Sequence, residues 1–151
     1  MITDTSGKII YINNEFTILT GYSIEEAVGK NPRILKSGYH STEFYGDLWN
    51  TIVGGKKWRK RIYNRNKKGA YYWESASISP IFDNNGNISH FVAVKEDITS
   101  LKDMEDRLII EHQKHDSIID LNPDPIIVTD MEGRPVRINR AWIRLHNGRI
   151  P

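Results

Sequence analysis

The chain has 151 residues, 38% of them hydrophobic and 26% charged, enough for one ordinary domain and part of another. It contains no cysteine, which excludes disulfides, thiolate metal sites, cysteine nucleophiles and iron–sulfur clusters. The net charge of +2 is smaller than a dedicated nucleic-acid binder carries, no apolar run approaches the roughly 18 residues of a membrane span, and the opening Met1-Ile2-Thr3-Asp4 lacks a signal peptide's basic start and apolar middle, so a cytoplasmic chain is expected.

In chain order, Asp4–Lys8 is a turn and Ile9–Asn13 a β-rich run. Asn14–Thr20 reads as a short helix ended by Gly21, and Ser23-Ile24-Glu25-Glu26 as a capping box that opens a second helix stopping at Gly29. Asn31–Leu35 is a further helical turn. Ser41 caps a longer helix with an apolar stripe of Phe44, Leu48, Trp49 and Ile52, ended by Gly54-Gly55. Three strands follow, Trp58–Arg65, Tyr71–Phe82 and Ile88–Glu96, joined by turns at Asn66–Gly69 and Asp83–Asn87. Short helices between strand pairs and a meander define an α+β fold with an antiparallel sheet. From Asp97 the spacing of Ile98, Leu101, Met104 and Leu108 predicts an amphipathic helix, capped by Thr99 or Ser100 and closed by Asn122-Pro123. About three heptads of it could pair as a two-helix coiled coil.

A repeat runs through the chain without gaps. Ile2-Thr3-Asp4, Gly7-Lys8, Ile12-Asn13, Phe16 and Leu19 recur 126 positions later as Val128-Thr129-Asp130, Gly133-Arg134, Ile138-Asn139, Trp142 and Leu145. The expected organisation is a module at 1–99, a helical linker at 100–121 and the opening of a second copy at 122–151, too short to bury a face alone. The first strand, starting at Met1, is expected to be short or supplied by another chain.

The segments ITDTSGKIIYIN, TGYSIEEAVGKNPRIL, FYGDLW, NRNKKGAYYWE, SISPI, DNNGNI and FVAVKEDIT, in this order over residues 1–99, resemble a PAS (Per-Arnt-Sim) sensory domain with its C-terminal PAC segment. PVRINRAW resembles the start of a second. The resemblance implies a five-stranded antiparallel sheet with short helices over one face, a small-molecule or cofactor pocket between them in many members, and a place in a multidomain regulator, most often a sensor histidine kinase. It also implies a junction at Asp97-Ile98-Thr99 that couples the sheet to the following signalling helix.

The resemblance also sets the candidate chemistry. The LOV subgroup places a flavin-reactive cysteine where this chain has Pro32, so adduct photochemistry is excluded. Asn64 matches one of the side chains that bond the flavin ring there; Glu74 and Lys95 stand where an Asn and a Gln would be. Trp49 and Asn64 are similar to residues lying at FAD in redox and aerotaxis sensors, although Pro32 replaces a helpful Glu. FAD is therefore a possible cofactor; Trp49 as helix core and Asn64 as an ordinary strand residue remain the alternative. Haem is not expected, because Thr42–Val53 carries no His; His40 reads as an exposed loop residue and His90 as structural. His115-Asp116 lacks the residues that follow a phosphoacceptor His, and Gly54-Gly55-Lys56 is not a P-loop, so no catalytic centre or metal site is expected.

Period-two alternation turns Glu74, Ala76 and Ile78 of one strand, and Phe91, Ala93 and Lys95 of the next, toward the helices. Glu74 and Lys95 then either pair inside the pocket and set its polarity or lie in water at the sheet's rim. With Arg33, Trp49 and Asn64 they are the candidate ligand contacts. Trp73, Val92 and Val94 should face outward, and a homodimer through that face and the linker helix, with or without a ligand, is the expected partner. KKWRKRIYNRNKKG, Lys56–Gly69, holds eight Lys or Arg and no acid. It reads as an edge strand that uses charge against unwanted pairing rather than as a nucleic-acid contact.

Overall fold

The computed structural model describes residues 1–146, so the last part of the 122–151 segment lies outside the described residues. The chain divides into two compact units, Met1–Lys102 and Asp103–Pro151. In the first, strands β1 (Ile2–Asp4), β2 (Ile9–Tyr11), β3 (Trp58–Arg65), β4 (Tyr71–Phe82) and β5 (Ile88–Asp97) form one antiparallel sheet in the order β2-β1-β5-β4-β3. β1 is short, and it pairs within the chain to both β2 and β5 rather than being supplied from elsewhere.

The connecting helices each begin and end at a local signal. Asn13 caps α1 (Asn14–Thr20) and Gly21 ends it in the left-handed region. Ser23 and Glu26 close both halves of a capping box on α2 (Ile24–Ala27). Asn31 caps a 3-10 turn at Pro32–Leu35, and Ser41 caps α3 (Thr42–Val53). Leu35 and Ala27 join Ile9, Ile12 and Phe16 in one buried cluster. Ile52 of α3 joins Trp58, Ile62, Ala76 and Phe91 of the sheet in another. Each Leu, Ile or Phe side chain so removed from water contributes roughly 1.5–3 kcal/mol.

The free edge of β3 is closed by chain as well as by charge. Tyr63 turns its N–H and C=O outward; the N–H donates to His40 Nε2 (2.8 Å) and the C=O accepts from the Ser37 hydroxyl. His40 also stacks on Phe44, with ring centroids 4.0 Å apart. It is thus a half-buried acceptor, not the exposed loop residue expected, because the Ser37–His40 loop folds back over the edge strand. Among the basic residues, Lys60 pairs with Asp47 and Lys67 with Glu26.

Burial holds the His40 imidazole below its usual 6.5. The unfolded chain then takes up a proton before the folded one does. The stability this site contributes is complete above the unfolded value and is lost as pH falls through the depressed one. Denaturant midpoints of the chain are expected to fall between pH 7 and pH 5 by the equivalent of about 1 kcal/mol. His40→Gln, which keeps an acceptor but cannot protonate, should flatten that part of the profile.

After β5 comes α4 (Thr99–Leu121), none of whose residues is buried. The second unit repeats the first in detail. β6 (Ile127–Thr129) and β7 (Pro135–Ile138) pair with Val128 opposite Arg137 and Thr129 opposite Pro135, as Ile2 opposes Tyr11 and Thr3 opposes Ile9. Gly7 and Gly133 share a φ of 80°, and Asn139 caps α5 (Arg140–Leu145) as Asn13 caps α1. Asp116 of α4 bonds Arg137 of β7 within this unit. No helix among the described residues is long and apolar enough to cross a membrane.

Candidate functional site

Between the sheet and the helices of the first unit lies a cavity of about 130 Å³. Its body is apolar: Leu48, Trp49 and Ile52 from α3 face Ile62, Ile78, Phe91 and Ala93 from the sheet. The stripe spacing of α3 produces one wall and strand alternation the other. Trp49 meets Phe91 edge-on, with ring centroids 5.9 Å apart. Gly7, at the tip of the β1–β2 turn, also lines the space beneath the Trp49 ring.

The polar groups sit in two places. Inside, Asn64 is 4% exposed, and Lys95 bonds Glu74 at 2.5 Å with Glu74 fully buried. Glu74 stands behind Lys95 and does not itself reach the cavity wall. Its second oxygen has no hydrogen-bond partner, and neither does the buried hydroxyl of Tyr45. Burial first, and the Glu74 charge second, push the phenols of Tyr45 and Tyr72 above their usual value. At the mouth, Arg33 and Lys36 are exposed, and the Lys36 ammonium lies 3.6 Å from the centre of the Tyr45 ring.

The structure therefore brings Arg33, Trp49, Asn64 and Lys95 to one cavity and sets Glu74 behind it. Sequence reasoning missed Lys36, Tyr45 and Gly7. Lys36 follows the 3-10 turn directly and Tyr45 follows Phe44 in the α3 stripe, but only the fold shows them converging. Of the outward residues, Val94 is 68% exposed, whereas Trp73 is half-buried in a ring cluster with Tyr39, Tyr63 and Tyr71.

Beside the cavity is the strand-to-helix junction. Lys95 lies two residues before Asp97 on β5, and Glu74 stands opposite Asp97 in the β4–β5 register. Ile98 is buried and donates its N–H to the Trp73 carbonyl, while the Trp73 N–H donates to Thr99 Oγ1 (3.0 Å). Asp97 Oδ1 accepts from the Thr99 N–H and hydroxyl. The start of α4 is thus fixed by the Asp97 side chain, which corrects the expected Thr99 or Ser100 cap: the Thr99 hydroxyl is committed to β4. Thr99→Val removes the acceptor for Trp73 and should cost about 1–2 kcal/mol. Amide exchange at Trp73 and through the first turn of α4 is expected to accelerate, with the cavity residues little changed.

A PAS domain family model matches residues 1–100, and a second PAS domain model matches residues 113–148. The chain belongs to the PAS domain family, sensory modules of signalling and regulatory proteins. Among similar proteins, a nitrogen fixation regulatory protein of Klebsiella oxytoca is 30% identical over 141 residues, 93% of this chain and 28% of that protein. Blue-light-activated histidine kinase 1 of Erythrobacter litoralis is 30% identical over 93 residues, 62% of this chain and 26% of that protein. The chain spans less than a third of the length of these relatives. The light-state structure of the blue-light photoreceptor Aureochrome1 LOV superposes with a TM-score of 0.63 at 27% identity, covering 74% of this chain and 88% of that one.

A flavin fits only part of this site. Asn64 and Trp49 line the cavity, but Lys95 commits its ammonium to one oxygen of the buried Glu74 rather than offering a neutral amide to the ring edge.

Proposed function

We propose that residues 1–99 are the non-enzymatic sensing module of a larger cytoplasmic regulator, of the sensor histidine kinase type, that reads occupancy of the cavity and passes it to α4. The observation carrying this reading is the adjacency of cavity and junction. Lys95 contacts the cavity, its partner Glu74 opposes Asp97, and the neighbouring Trp73 holds both Ile98 and Thr99. A ligand that draws Lys95 from Glu74 changes the β4–β5 pairing at the residues where α4 begins. That gives the two states of the helix a differential interaction with the ligand, as any transmitted signal requires.

The test is amide exchange of the whole chain with the cavity filled and empty. Occupancy should alter protection at Trp73 and at Thr99–Arg107; protection unchanged beyond the cavity walls would sink the relay. The visible spectrum identifies the redox variant of this reading: a released flavin would assign it, supported by Asn64 and Trp49 at the wall. A ligand-free dimerisation module is the alternative, favoured by the exposed Leu101, Met104 and Leu108 on α4 and by Val94 on the sheet. It predicts a native mass of two bare chains.

A further inference from the structure

We infer that the cavity takes a small organic monocarboxylate with a compact apolar body of benzene size, its carboxylate held at the mouth by Arg33 and Lys36. This rests on the sensor reading above and narrows it to a ligand class. Size comes first. A cavity of about 130 Å³ is close to the roughly 150 Å³ apolar space known to hold benzene. The walls that a ring or branched chain would meet are the side chains of Ile52, Ile62, Ile78 and Phe91.

Charge selects the head group. The side chains lining the cavity include three cations, Arg33, Lys36 and Lys95, and no acid. Lys95 is already matched by Glu74 at 2.5 Å. Arg33 and Lys36, the exposed members of the lining, therefore leave the mouth with a positive excess that attracts an anion and can bond it with charge assistance. A guanidinium fits the two oxygens of a carboxylate in particular. The Tyr45 hydroxyl, buried and without a partner, adds a neutral donor to the lining.

The inner end sets the limit of one carboxylate. Behind Lys95 stands Glu74, with one oxygen unpartnered. A second anionic group pushed to that depth would meet this carboxylate, with Lys95 already committed to it. An apolar body tipped by one acid satisfies both ends; a dicarboxylate, an amine or a neutral amide satisfies one at most.

Calorimetry on the whole purified chain, using benzoate, benzamide and benzylamine as probes, tests this. Benzoate should bind at least tenfold more tightly than benzamide, and benzylamine more weakly still. The preference should shrink as ionic strength rises. In the Arg33→Gln/Lys36→Gln variant, whose exposed side chains can change without disturbing the core, benzoate should lose at least tenfold in affinity while benzamide is unaffected. Equal binding of benzoate and benzamide, or a preference that survives the double variant, overturns the ligand class and leaves the sensor reading standing. So does a purified chain that carries a flavin. A chain that binds no probe and has the native mass of bare polypeptide overturns both.

Discussion

Replacing Lys95 with methionine should destabilise the first unit by about 3 kcal/mol, read as a shift in urea midpoint. The size follows from what is left behind. Glu74 is 0% exposed, and with Lys95 gone neither carboxylate oxygen keeps a side-chain partner. Removing one member of a buried ion pair typically costs about 3–5 kcal/mol, because the other charge stays out of water. The lower end applies here, since the Lys95 side chain is 14% exposed and water can follow it part of the way. Two further variants separate charge from packing. Glu74→Gln keeps an acceptor for Lys95 and should cost less. Glu74→Leu with Lys95→Met removes both charges and should recover most of the loss. If the single Lys95→Met chain unfolds at the native midpoint, the pair is not buried and the relay loses its first link.

Gly7→Ala is expected to be the second most damaging change, at about 3 kcal/mol. The repeat supplies its control. Gly7 and Gly133 hold the same turn position with the same φ of 80°. A side chain there costs roughly 1–2 kcal/mol at either place. At Gly133 nothing lies within 4 Å of the added Cβ, so Gly133→Ala should show that strain alone. At Gly7 the Cβ would come within 2.8 and 2.9 Å of two Trp49 ring carbons and 3.1 Å of the Asn31 amide nitrogen. Overpacking adds about 1–3 kcal/mol, and the indole can yield only by moving. Exchange at β1–β2 compared with β6–β7 should report the difference, and Gly7→Ala should also weaken whatever the cavity binds. Equal losses at the two glycines would show that Trp49 does not rest on Gly7.

Most of the fold was legible in the sequence because its signals are local. Strand alternation, the Ser23 capping box, the Ser41 cap and the turns at Asn66–Gly69 and Asp83–Asn87 each act within a few residues. The candidate site was legible where alternation decides which way a side chain points, as for Asn64 and Lys95. What escaped depends on chain segments meeting across space. The closure of β3 by Ser37 and His40 joins residues more than twenty positions apart, and no pattern in either segment signals it. Lys36 and Tyr45 come together by the same route. The start of α4 was misassigned because three successive residues, Asp97 to Thr99, include two capable of capping, and the choice is made by Trp73 on another strand.

Asn139 ties the end of α4 to the hairpin that follows it. Its counterpart Asn13 is exposed and accepts from Phe16 alone in its cap. Asn139 is fully buried, accepts from Ile126 and Trp142, and donates to the carbonyls of Ile119 and Asp124, with that of Asn122 a longer contact at 3.4 Å. Carbonyls at a helix end have no partner within the helix. Here one of them, that of Ile119, is satisfied by a side chain twenty positions downstream. The C-terminal carbonyls of α4 therefore gain this protein partner only when Asn139, at the end of the β6–β7 hairpin, is in place. The two elements should open and close as a single cooperative unit, so that the end of the linker inherits the stability of the strands that follow it.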